Sequence, residues 1–143
     1  MKFWFALAAF AAGVATTVQA AANAGLAGRA GLGAALIVNT SIVLAGAFVF
    51  FFASGARATF FPAGTPWYLY VGGLCGFVVI LAAAFVLPRI GAGTAVALMV
   101  LGQGAAALAM DHFGLMGLAR EPVSLARVGG FALIVAGVVL LRR

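Results

Sequence analysis

The chain has 143 residues, of which 66% are hydrophobic and 7% charged. A soluble domain carries about 25% charged residues, so this sequence lacks the polar surface to wrap a core in water, and its solvent is lipid. Eight Lys/Arg against two Asp/Glu give a net charge of +6, but the bases stand one or two to a loop. That spacing sets membrane topology and forms no stripe for nucleic acid.

Five apolar stretches are long enough to cross about 30 Å of hydrocarbon: residues 3–22, 32–53, 67–87, 90–110 and 124–141. The expected fold is an all-α membrane protein of about five transmembrane helices, one domain over residues 1–143. The segments are too long, and too uniformly apolar, for barrel strands. No internal repeat is apparent. All four prolines, Pro62, Pro66, Pro88 and Pro122, are expected between helices, where no helical N–H is needed.

The first segment opens with Met1-Lys2 and reaches Val18-Gln19-Ala20, the outline of a cleavable leader. Its polar face continues to Asn23, so we expect a retained helix. Thr16, Gln19 and Asn23 share that face. Two amides four residues apart offer paired donors and acceptors, for bonds between helices or, the reading favoured for these three residues, for lining a substrate cavity. Ala8, Ala12, Thr16 and Ala20 form a small-residue stripe suited to close packing. Trp4 is placed as an interface anchor.

In the second segment Asn39 is a further cavity candidate, with Thr40 and Ser41 beside it. Phe48, Phe50, Phe51 and Phe52 close it as a lipid-facing or packing surface. The third begins with Trp67, Tyr68 and Tyr70 as anchors, carries Gly72 and Gly76 as a GxxxG, and holds Cys75. A single cysteine forms no internal disulfide and reads as a small buried hydrophobe.

Pro88-Arg89 leads almost directly into the fourth segment, predicting a tight hairpin. There Gln103 stands between Gly102 and Gly104, which leaves room for a ligand or a closely packed helix. Asp111 ends the segment, where the helix dipole disfavours a negative charge. Arg89 lies roughly 33 Å away along the same helix, so the two meet only if a second, inverted copy is present. Arg89, Asp111 and His112 are therefore candidates for coupling or gating. Glu121 is expected in water beside Arg120. The link over residues 111–123 contains Phe113, Leu115, Met116 and Leu118 and is apolar enough to lie in the interface. Gly129, Gly130 and Gly137 mark the last segment.

With five crossings, Lys2, Arg57, Arg120 and Arg127 fall on one side and Arg29, Arg89, Arg142 and Arg143 on the other. The balance gives the positive-inside rule no direction to act on. Either another signal fixes one topology or, the reading favoured here, topology is dual, with copies inserting both ways and pairing as an antiparallel dimer.

Several phrases together form a pattern: Gln19-Ala20-Ala21-Ala22-Asn23-Ala24 with Leu26, Pro88-Arg89-Ile90-Gly91-Ala92, Gly102-Gln103, and Asp111-His112-Phe113-Gly114-Leu115 with Gly117. Ser124, Arg127, Gly130 and Gly137 complete it. The chain resembles, over essentially its whole length, the YdcZ-type family of short transporters in the drug/metabolite transporter superfamily. The resemblance implies a five-helix half-transporter of the bacterial inner (cytoplasmic) membrane. Its partner is a second copy of itself or a paralogous half-transporter, as in families with single, paired and fused genes. The first helix has no carboxylate, unlike the small multidrug-resistance exporters, whose embedded glutamate exchanges protons for cations.

The expected activity is secondary-active transport of a small metabolite or drug-like molecule by alternating access. The alternative is a small-ion channel built from an antiparallel dimer. No H-E-x-x-H, G-x-S-x-G or P-loop is present, and ligating side chains are too few for a metal site. An enzyme, a cofactor and a metal are accordingly not expected. The expected partners are the lipid bilayer, a second half-transporter and an unidentified small molecule, with no nucleic acid.

Overall fold

The computed structural model describes residues 2–55 and 59–141. Arg57, Arg142 and Arg143 of the charge balance lie outside the described residues. The helices are α1 (Lys2–Ala30), α2 (Leu32–Ala53), α3 (Gly72–Ile90), α4 (Ala92–Phe113) and α5 (Leu125–Leu141), with 3-10 turns at Trp67–Val71 and Leu115–Gly117.

Four apolar spans are long enough for a crossing: Phe3–Ala30, Leu32–Ala53, Trp67–Ile90 and Ala92–Phe113. A 22-residue helix such as α2 or α4 measures about 33 Å, close to the hydrocarbon thickness. The 17 residues of α5 reach only about 26 Å, so the fifth helix is shorter than the other four.

The first helix, expected to stop near residue 22, runs 29 residues to Ala30. Gly25 and Gly28 each weaken a helix by about 1 kcal/mol. The stretch is otherwise mostly alanine and contains no proline, so it propagates. It ends where Gly31 takes φ 87°, a conformation that costs other residues a Cβ clash.

One residue, Gly31, separates α1 from α2, and one residue, Gly91, separates α3 from α4. The two glycines share a backbone shape, φ 87° and ψ 154° against φ 80° and ψ 149°. Four residues on, the Ala35 N–H donates to the Gly31 carbonyl at 3.1 Å, and the Ala95 N–H to the Gly91 carbonyl at 3.0 Å. Ala35 and Ala95 are each 1% exposed. The sequence around both turns reads R-x-G-x-G-x-A, from Arg29 to Ala35 and from Arg89 to Ala95. A short internal repeat is therefore present after all.

Pro88 lies inside α3 rather than between helices. It removes the N–H that would bond the Ala84 carbonyl, and the helix ends two residues later. The Arg89 Nη1 donates to the next carbonyl, that of Phe85.

The chain forms two compact units, Met1–Arg89 and Ile90–Arg143. In the first, α1 packs on α2; in the second, α4 packs on α5. The distribution of side chains is the reverse of a soluble protein's. The buried apolar residues are Ala20, Ala35, Ala83, Ala84, Ala95, Leu87 and Val138, while Phe10, Ile37, Phe50 and Leu133 are over two-thirds exposed. Small residues bring backbones together in lipid, where burial of large apolar groups provides no drive. Trp4, Trp67, Tyr68 and Tyr70 are exposed, as interface anchors must be.

Candidate functional site

The densest polar chemistry lies where α4 meets α5. Asp111 is in the last turn of α4 and Arg127 in the first turn of α5. The Arg127 Nη1 donates to Asp111 Oδ2 at 3.1 Å, and its Nη2 donates to Glu121 Oε2. Glu121 is thus bound to Arg127, not to Arg120 as expected. The compensating charge for Asp111 also differs from expectation. It comes from the same chain and does not require Arg89 of a second copy.

Helix ends explain the arrangement. A carboxylate at the C-terminal end of α4 opposes that helix's dipole, and a cation at the N-terminal end of α5 opposes the other. Brought together, each charge faces its partner and also the favourable end of the neighbouring helix. The Asp111 and Arg127 side chains stay 38% and 35% exposed, so water still reaches them.

The link is folded tightly onto this pair. The Val123 N–H donates to His112 Nδ1 at 3.2 Å, which assigns the ring proton to Nε2. Arg120 Nε donates to the His112 carbonyl at 3.1 Å, and the Glu121 N–H to the Asp111 carbonyl at 2.8 Å. Phe113 stands edge-on to the His112 ring, centroids 4.8 Å apart. Gly114 caps α4 with φ 64°, its N–H bonded to the Met110 carbonyl. Ser124 Oγ accepts from the Arg127 N–H at 3.3 Å, an N-cap for α5. His112 therefore latches the link, and the whole Asp-His-Phe-Gly run serves this corner.

Above the pair, a cleft of 310 Å³ runs between α4 and α5, lined by Gly104, Leu108, Asp111, Arg127 and Phe131 among others. A Cβ at Gly104 would stand 3.2 Å from Phe131 Cε2, so this glycine admits the ring. Gly102, in contrast, faces open space. Gln103 between them is exposed, halfway along α4.

A second polar group sits within α1 and α2. Gln19 Nε2 donates to Asn39 Oδ1 at 3.3 Å, joining the helices. Asn39 Nδ2 is buried and has no hydrogen-bond partner among the described residues. Asn23, one turn beyond Gln19, is only 7% exposed. The Thr16 hydroxyl donates to the Ala12 carbonyl at 2.8 Å, so its proton is spent on its own helix.

The family model described as "Putative inner membrane exporter, YdcZ" matches residues 4–140. The chain belongs to the YdcZ family. No curated protein and no solved structure matches it. As a YdcZ protein it is an integral protein of the inner membrane, of an exporter rather than an enzyme family.

Arg127 is the residue of the YdcZ corner to which sequence reasoning gave no site role, counting it as a topology charge and as part of the family pattern. The signal was available. Asp111 ends a helix at its unfavourable pole, and Arg127 opens the next helix on the same membrane side.

Proposed function

We propose that this YdcZ chain is one half of a secondary-active exporter for a small metabolite or drug-like molecule. It works as a single membrane domain that pairs with an inverted copy, or an inverted paralogue, and exposes a shared site to each side in turn. Gln19, Asn23 and Asn39 line that site. The Asp111–Arg127–Glu121 cluster, held by the His112 latch, acts as a gate at one end.

The observation that carries this reading is the orphaned Asn39 Nδ2. A buried donor without an acceptor costs about 1–3 kcal/mol, and polar groups inside a bilayer persist where they serve function. Asn39 belongs to the amide pair that links α1 and α2, and its Nδ2 has no acceptor among the described residues. Membership in an exporter family favours a carrier over the channel alternative. The ion-paired corner supports gating because its bonds are partly wetted, so opening it does not strand a charge in lipid.

The test is Asn39→Leu in the full chain reconstituted in liposomes. Transport should fall at least tenfold while the protein remains folded. Undiminished transport by the folded variant would remove Asn39 from the site.

A further inference from the structure

We propose that a crevice at the C-terminal end of α3 is a binding site for the headgroup of an anionic phospholipid. The crevice has a volume of 430 Å³ and is lined by Ala24, Gly28, Leu32, Ala84, Phe85 and Arg89 among others. It lies wholly within the α1–α3 unit.

Three observations converge on this occupant. The first is charge. The chain has two acidic side chains, and Arg127 binds both. Arg89 therefore has no side-chain carboxylate for a partner. Its guanidinium lies 3.4 Å above the Phe85 ring centroid and gives one of its five N–H donors to the Phe85 carbonyl. The remaining donors suit an oxyanion, and guanidinium matches phosphate geometry.

The second is depth. Arg89 stands one residue from the end of the span Trp67–Ile90, and Arg29 one residue from the end of Phe3–Ala30. Two crossings apart, these ends lie on one membrane face, so both bases reach the level of lipid phosphates. They also occupy the same place in the R-x-G-x-G-x-A repeat, each two residues before a glycine turn. Arg29 follows Gly28 of the crevice directly.

The third is shape. The remaining lining is apolar, with Ala24, Ala27, Gly28 and Ala84 leaving room between the larger groups to receive the glycerol backbone below a headgroup held by Arg89. Basic pockets between transmembrane helices hold lipid headgroups by this combination of features. A free phosphate ion would use the cation but leave the apolar floor empty.

The test is native mass spectrometry of the detergent-solubilised full chain, titrated with phosphatidylglycerol, phosphatidylcholine or inorganic phosphate. Phosphatidylglycerol should bind at least tenfold tighter than phosphatidylcholine. Arg89→Gln should weaken it at least tenfold. Gly28→Leu, which fills the crevice and keeps the charge, should do the same. Inorganic phosphate at equal concentration should not displace the lipid. Equal affinity for the two lipids, an unchanged affinity in either folded variant, or displacement by phosphate would overturn the proposal.

Discussion

Neutralising the charges of the α4–α5 corner should reveal an asymmetry that follows from its geometry. At 3.1 Å and an effective dielectric of about 20, the Asp111–Arg127 attraction is roughly 5 kcal/mol before desolvation. Both side chains keep more than a third of their exposure, and measured couplings for exposed pairs are about 0.2–1 kcal/mol. We expect a coupling of about 1 kcal/mol, at the upper end because Arg127 is held by a second carboxylate. Asp111→Asn loses one bond of that network but relieves a charge opposing the α4 dipole, itself worth about 0.3–1 kcal/mol. The two effects nearly cancel. Arg127→Gln relieves a similar dipole term but loses two bonds and leaves two carboxylates facing each other. It should cost about 1–2 kcal/mol, at least twice the cost of Asp111→Asn. A double-mutant cycle by reversible unfolding in mixed detergent–SDS micelles measures all three quantities. Additive single substitutions, or a larger loss from Asp111→Asn, would refute the reasoning.

Gly114→Ala should destabilise the chain by about 1–2 kcal/mol, because the residue sits at φ 64° where a Cβ is disfavoured. That Cβ would also stand 3.3 Å from the Cβ of Arg120. The same unfolding assay reads it, and an unchanged stability would mean the cap is not formed. Asn39→Leu should leave stability unchanged or slightly raised even as transport is lost. It removes an unsatisfied donor, worth about 1–3 kcal/mol, along with a Gln19 bond of about 0.6–1.7 kcal/mol; a loss well above 2 kcal/mol would show that the amide is already satisfied. A reporter fused to the C-terminus should be found on both faces of the membrane. Detection on one face only would rule out a homodimer of inverted copies.

Much of this protein was legible before its structure. Composition alone requires a lipid-embedded helical protein, and the Asp-His-Phe-Gly run with Pro88-Arg89 pointed to the YdcZ family. The helix ends were harder to read. Asn23, Gly25 and Gly28 look like a helix terminus by propensity, yet without proline or a positive φ the helix continues to Gly31. Pro88 is tolerated inside α3 because only two residues follow it. The repeat at Arg29 and Arg89 escaped notice because it is four matching positions in seven, meaningful only once both glycines adopt one backbone shape.

The site was legible in parts. Gln19 and Asn23 follow from helical spacing, but the bond from Gln19 to Asn39 depends on the register of the α1–α2 hairpin, which a one-residue turn sets. Asp111 is legible as needing compensation at its helix end, and within the chain Arg127 supplies it. Arg89 was chosen by symmetry, whereas the folded link brings Arg127 within bonding distance. The bonds of His112 to Val123 and of Arg120 to the His112 carbonyl depend on positive φ at Gly114, Met116 and Gly117. Of these, Met116 gives no sequence signal at all.

Carrier activity by an inverted pair of copies of this chain is open to direct test. The most direct measurement is solid-supported-membrane current from liposomes holding only the purified chain. The substrates would be organic cations, small neutral metabolites and anions, each with and without a proton gradient. A carrier should give a saturable current for one substrate class. A current that grows linearly with gradient and never saturates would contradict it in favour of an open pore, and silence across the panel from folded, dimeric protein would contradict transport by this chain alone.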